Sequence, residues 1–343
     1  MRLKVGRIFI AAACALIVFL TMSACGSVGK TEVASKGAAV EEAAQHSWTR
    51  VTEAAAFPGA YNFPVFNMRG QMWAFHPQGN WYSDDAKTWT KSELPLSGLN
   101  SGYQKYVQFK DAVYALGTME GNYTNMRLHS RIARTTDFKR WETLAETSEL
   151  PARVFYGAQV FDGKIWLMGG FDGKDYYNDV WNSGDGVHWT RVAAKSAWSP
   201  RNVGMSVVFK DKIWIIGGGL IDGTPGADKQ AEKEIWSSGD GINWMRATGG
   251  IARAWGGTPI VFDGKLWLVG ANRDGTFTRA VLVTDDLVNW REETAPWSPR
   301  GAAATWVFDN KLYMTGGKYS VTENGEIKFI YSNDVWYLTV SRT

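Results

Sequence analysis

Arg153, Arg201, Arg253 and Arg300 each stand ahead of a short apolar segment, and two of them close identical Trp-Ser-Pro-Arg segments, 198–201 and 297–300. A guanidinium group grips carboxylates and sulfates through paired hydrogen bonds and stacks on aromatic faces. Gathered around one opening, four such groups would hold an acidic glycan or an acidic peptide. Tyr156 and Trp255 lie nearby in sequence and offer stacking surfaces for a sugar. Trp198 and Trp297 recur at a fixed position instead, which marks packing. A repeated arginine also has a more ordinary role, capping backbone carbonyls and pairing with acids of a neighbouring unit. That role suits Arg201 and Arg300, whose contexts are identical. Arg253, in IARAWGG, carries one extra residue before the apolar segment, so ligand contact is expected there first.

Other chemistry is sparse. Glu120, Asp172, Asp175, Asp222, Asp274 and Glu323 could serve acid–base catalysis, but none is paired at a recognisable spacing. The histidines are His46, His76, His129 and His188, and the cysteines are Cys14 and Cys25. No cofactor and no metal site are expected from that set.

The N-terminus speaks about location. Arg2, Lys4 and Arg7 precede an uncharged segment, Ile8 to Ala24, too short for a spanning helix and suited to a secretion signal. Met22-Ser23-Ala24-Cys25 resembles the bacterial lipoprotein box, which implies cleavage after residue 24 and a lipid on Cys25. The expected result is an exported, membrane-anchored lipoprotein. By the usual sorting pattern it would sit in the outer membrane of a Gram-negative host, or on the outer surface of a host with one membrane. Residues 25–46, rich in Ala, Gly, Ser, Lys and Glu, read as a flexible tether. Cleavage removes three basic residues, leaving 37 − 3 = 34 basic against 34 acidic, so no nucleic-acid footprint is expected.

These residues need a scaffold, and the scaffold repeats. Ser/Thr-x-Asp-x3-Trp occurs at Ser83-Asp85-Trp89, Thr135-Asp137-Trp141, Ser183-Asp185-Trp189, Ser238-Asp240-Trp244 and Thr284-Asp286-Trp290. Upstream of each lies a hairpin pattern such as QVFDGKIWLMGGF (159–171) or VVFKDKIWIIGGG (207–219), and a sixth stands at 306–318. Two hairpins per unit make four strands, and six four-stranded units predict an all-β, six-bladed β-propeller over residues 47–343. The chain ends without a fourth strand in the last unit. Ser47-Trp48-Thr49-Arg50-Val51 copies His188-Trp189-Thr190-Arg191-Val192, so residues 47–51 are expected to complete that blade from the other end.

An apolar strand, a turn, an aromatic, a glycine pair and then a Trp after a polar turn resembles the kelch repeat, most closely in blades three, four and six. The Trp-Ser-Pro-Arg form is similar to bacterial kelch-like and galactose-oxidase-like propellers. The copper site of galactose oxidase is not implied, because no cysteine remains in the propeller. Kelch-type sialic-acid epimerases share the exported six-bladed architecture, although no catalytic signature of theirs transfers residue by residue. The expectation is therefore a monomeric, lipid-anchored binding protein, more a binder than an enzyme, for a glycan or protein ligand on the face carrying the variable loops. An enzyme on a small acidic sugar, of epimerase, mutarotase or lyase type, and a structural partner in a cell-envelope complex are the alternatives.

Overall fold

The computed structural model describes residues 45–96, 103–121, 125–220, 233–251, 254–273 and 276–341. The signal segment, Cys25, Arg253 and residues 25–44 lie outside them. Gln45 and His46, placed in the tether by composition, instead begin a strand, Gln45–Thr52.

Six antiparallel sheets make the blades, and in the first four of them the strands lie in sequence order from the first outward. Blade three is typical, with Gly157–Phe161, Lys164–Phe171, Tyr176–Ser183 and Thr190–Ala193. Blade five gains a two-residue strand, Ala254–Trp255, beside its second strand. Blade six runs Ala304–Phe308, Lys311–Thr315, Val335–Ser341, and its outer place is taken by Gln45–Thr52. That last pair is antiparallel, with Trp48 opposite Leu338 and Arg50 opposite Trp336.

Local chemistry accounts for both kinds of turn. Between first and second strands, both turn residues adopt left-handed backbone at Arg69-Gly70, Asp162-Gly163, Lys210-Asp211, Asp263-Gly264 and Asp309-Asn310. Two successive left-handed residues make the tight turn whose twist suits paired strands, and Gly, Asn and Asp tolerate it best. Between third and fourth strands, Asp185 Oδ1 accepts the N–H groups of Val187 and His188 at 2.8 and 2.9 Å. The Ser183 hydroxyl meanwhile accepts the N–H of Gly186 at 2.8 Å. Asp286 does the same work: the N–H groups of Asn289 and Val288, with the Asn289 amide, hold its carboxyl well below the usual carboxylate range. The repeated aspartates are turn-fixers.

One twisted sheet cannot cover its own faces, so the core is divided among the seams. Each of the six blade–blade contacts holds an apolar cluster, and a smaller seventh, Met119, Val154 and Phe171, lies between blades two and three. The seam between blades six and one holds Trp81, Trp89, Trp306 and Tyr313, and that between three and four holds Trp166, Trp198, Ile213 and Trp244. Burying a Trp removes about 200 Å² from water, which contributes roughly 5 kcal/mol before entropy is charged against it. The second-strand indoles also satisfy their own donors. Trp166, Trp214 and Trp267 give their N–H to the carbonyls of Phe161, Phe209 and Phe262 at 2.8, 2.8 and 3.0 Å.

Several connections that look like loops in sequence are strands. In blades three and five the second and third strands run on into hairpins. Residues 318–331 form a separate two-stranded sheet, Lys318–Glu323 with Glu326–Tyr331, around Asn324-Gly325. Asn-Gly between β-branched and aromatic residues is a hairpin signal in its own right.

Candidate functional site

The side chains of Arg153, Arg201 and Arg300 are buried. They are 2%, 1% and 2% exposed. Arg153 donates to the Gly169 carbonyl at 3.0 Å and forks onto Asp179 at 2.6 and 3.2 Å. Arg201 donates to the Gly217 carbonyl and to Glu234, both at 3.2 Å. Arg300 donates to the Gly316 carbonyl at 3.1 Å and forks onto Asp334 at 2.5 and 3.1 Å. Each acid also accepts an indole N–H two residues later, from Trp181, Trp236 and Trp336. The arginines are thus internal braces whose acids belong to their own blade, not to a neighbouring one. The glycine pairs fit the same device. A Cβ on Gly218 would stand 2.1 Å from the Asn202 carbonyl oxygen, and Gly217 and Gly218 both take left-handed backbone.

Tyr156 is also interior. It is 1% exposed, and its hydroxyl donates to the Leu116 carbonyl at 2.7 Å, tying blade three to blade two. Burial pushes its pKa up, so the phenol stays protonated. Trp255 pairs through its backbone with Asn272, and Arg253 falls outside the described residues. His76, close to a loop in sequence, is 1% exposed, and burial pushes its pKa down to about 4. Among the described residues no three His, Cys, Asp or Glu side chains are grouped to hold a metal ion.

The structure places its candidate site at the centre of the ring instead. A cavity of about 580 Å³ is lined by the segments that enter the first strands, by the early residues of those strands, and by Lys318. Because strands alternate in direction, the cavity opens on the face that carries the second-to-third connections. Its rim is knitted together by backbone. Asn62 donates its N–H to the Ala302 carbonyl at 2.9 Å, Ala302 to Gly256 at 2.6 Å, and Val203 to Phe155 at 2.9 Å. Asn62, Phe155, Gly256 and Ala302 all hold left-handed backbone, which for Phe155 and Ala302 costs about 1–3 kcal/mol each. Blade-to-blade hydrogen bonds hold that strain in place. Further stitches run from Gln159 to the Ser206 carbonyl at 2.8 Å and from Thr258 to the Ala303 carbonyl at 2.6 Å.

The electrostatics of the cavity are one-sided. Lys105 and Lys318 line it, and no carboxylate does so among the described residues. Lys105 keeps part of its side chain open to the cavity, yet protein surrounds it closely enough that burial pushes its pKa down. Burial does the same to Lys318, whose Nζ stands 4.2 Å from the centre of the Tyr61 ring. Neither ammonium has an ion-pair partner among the described residues, whereas Arg153, Arg201 and Arg300 all do. Tyr61 and Tyr103 bring their hydroxyls to 3.2 Å. Burial, then the contact with Tyr103, pushes the Tyr61 pKa up, so this phenol remains a hydrogen-bond donor. Desolvated cations without a counter-charge favour an anion in the space they face.

Two signals in the sequence point to this arrangement. Asp179, Glu234 and Asp334 precede a Trp by two residues only in the blades that also carry Arg and a glycine pair, which marks the braces. Lys105 occupies a repeat position held elsewhere by Gly157, Met205, Thr258 and Ala304, a departure in size and charge.

Residues 152–182 match the family model for the Kelch motif, a stretch that spans Arg153, the glycine pair, Asp179 and Trp181. Among solved structures, one titled "Structure of YjhT" superposes with a TM-score of 0.65 at 14% identity, covering 85% of this chain and 100% of that one. No curated protein matches the chain. The brace residues inside the matched stretch and the six sheets around one cavity lead to one description: this chain is an all-β, six-bladed propeller carrying the kelch motif.

Proposed function

We propose that this protein is an exported, lipid-anchored binding propeller that takes a small anionic ligand, of the acidic-sugar class, into the cavity at its centre. The observation that carries this reading is the pair Lys105 and Lys318, desolvated and without an ion-pair partner among the described residues, in a cavity lined by no carboxylate among them. The volume suits a monosaccharide with its bound water. Amide and hydroxyl side chains supply neutral hydrogen bonds, and Tyr61 keeps its proton to donate. A propeller of this kind is a scaffold suited to binding and protein interaction, with the chemistry set by the site. Binding is preferred to acid–base catalysis because no carboxylate or imidazole of the described residues lines the cavity.

Calorimetry with a hexuronic acid and its neutral parent hexose tests the cavity. The acid should bind and the hexose should not, and Lys105→Met and Lys318→Met should each weaken the acid about tenfold or more. Higher salt should weaken it further. Equal binding of acid and hexose, or indifference to both substitutions, would overturn the reading. The anchor is tested separately. Cys25→Ser should abolish metabolic lipid labelling and release the protein from the membrane fraction, and labelling that persists in the variant contradicts the proposal.

A further inference from the structure

The hairpin Lys318–Glu323 with Glu326–Tyr331 is built unlike the blades. Seven large apolar side chains are exposed among the described residues, and four of them, Ile327, Phe329, Ile330 and Tyr331, lie in its second strand. A soluble hairpin off the main sheets has no packing reason to carry such a row, so the row needs an occupant.

Register shows where it points. Lys318 pairs with Tyr331, Ser320 with Phe329 and Thr322 with Ile327. Residues directly opposite share a face, and every second residue returns to it. Tyr331, Phe329 and Ile327 therefore stand on the face of Lys318, whose ammonium lines the cavity. Two contacts anchor the lower end there. The Tyr331 ring stacks on Tyr61, another cavity residue, at 5.7 Å and 23°. Lys318 Nζ stands 5.0 Å from the Phe329 ring centre. From Tyr331 to Ile327 is four residues, about 13 Å of extended strand. Beyond Lys318 that face carries no charge, while Glu323, Glu326 and Lys328 all occupy the opposite face, with Lys328 and Glu323 paired at 2.6 Å.

We propose that this face is an outer subsite of the central cavity and takes the apolar portion of the bound anion, so that the preferred ligand is an anionic amphiphile. The acidic head sits at Lys105 and Lys318, and an alkyl or aryl substituent leaves the mouth along Tyr331, Phe329 and Ile327. The assignment rests on the cavity reading above. Continuity favours this occupant over a second protein copy. The row begins at Tyr331, which stacks on the cavity residue Tyr61, and it is crossed at its base by Lys318, the cation that would hold the head group.

Methyl, butyl, hexyl and octyl glucuronides test it, with binding followed by calorimetry on the propeller. Affinity should rise roughly fourfold per added methylene until the tail passes Ile327, since each buried CH₂ is worth about 0.8 kcal/mol. Ile327→Ser should lower octyl glucuronide affinity at least tenfold and leave methyl glucuronide unchanged. Phe329→Ser should flatten the dependence on length further. If methyl glucuronide itself fails to bind, or binds regardless of Lys105→Met and Lys318→Met, the cavity reading has failed and the subsite falls with it. If the methyl compound binds through the lysines but affinity does not grow with length, the subsite alone is overturned. Sedimentation of wild type and Ile327→Ser covers the rival occupant. A change in oligomeric state with an unaltered length dependence would assign the row to self-association and overturn the proposal.

Discussion

Deletion of residues 45–52 should cost on the order of 5 kcal/mol and leave a protein that aggregates as it warms. The strand Gln45–Thr52 is the outer partner of Val335–Ser341, and its removal exposes that strand's N–H and C=O groups as a free edge. It also removes Trp48, which meets Trp297 edge-on at 4.6 Å in the seam between blades five and six. His46 is lost with it, and its Nδ1 lies 2.6 Å from Glu293 on the outer strand of blade five. A typical domain is stable by about 5–15 kcal/mol, so this single strand accounts for a large share. Removing residues 26–44, a stretch with no aromatic residue, should leave the melting temperature nearly unchanged. Calorimetric melting of the two truncations decides the matter, and equal melting temperatures would show that the strand does not hold the ring closed.

Arg153→Ala should be the most damaging single substitution among the four arginines' described members. It leaves Asp179, 4% exposed, without its cation, and strips the Gly169 carbonyl of a donor. Breaking a buried pair by removing one partner costs about 3–5 kcal/mol. In a domain of this size that lowers the melting temperature by on the order of 10 °C. Arg201→Ala should cost less, because Glu234 is partly open to solvent and keeps Arg246 at 3.2 Å. Replacing Arg153 and Asp179 together with Met and Leu should recover much of the loss, since no buried charge is then left alone. None of these variants should change hexuronate affinity, as their side chains lie away from the cavity lining. A weakened affinity in Arg153→Ala without a fall in melting temperature would return that arginine to the site.

The history of these arginines shows how far a sequence reaches. Residue type and position announced guanidinium chemistry correctly, but the same chemistry serves a ligand or a brace. What separates the two is whether a carboxylate waits in the interior. Asp179 is 26 residues from Arg153 along the chain and 2.6 Å from it in space. Nothing local couples them.

Blade number, turn type and the role of the repeated aspartates were legible because they depend on residues within a few positions of one another. Asp185 binds the N–H groups two and three residues on, and Trp166 donates five residues back. Contacts of this local kind recur with the motif, so the five polar turns and the six hairpins could be counted without a fold. The cavity is different. Lys105, Tyr61 and Lys318 belong to blades two, one and six, and they share a space only because a closed ring of six wedges brings the entrances of its first strands together. Lys105 departs in size and charge from its repeat position, but nothing in the local sequence ties it to Tyr61 and Lys318 in a common cavity. The ring also sorts its charges, pairing Arg153, Arg201 and Arg300 inside the blades and leaving Lys105 and Lys318 without an ion-pair partner among the described residues at the centre. Periodic local contacts can be read from one strand of letters. A convergence of six blades is decided by the rotation between them, which is a property of how the seams pack.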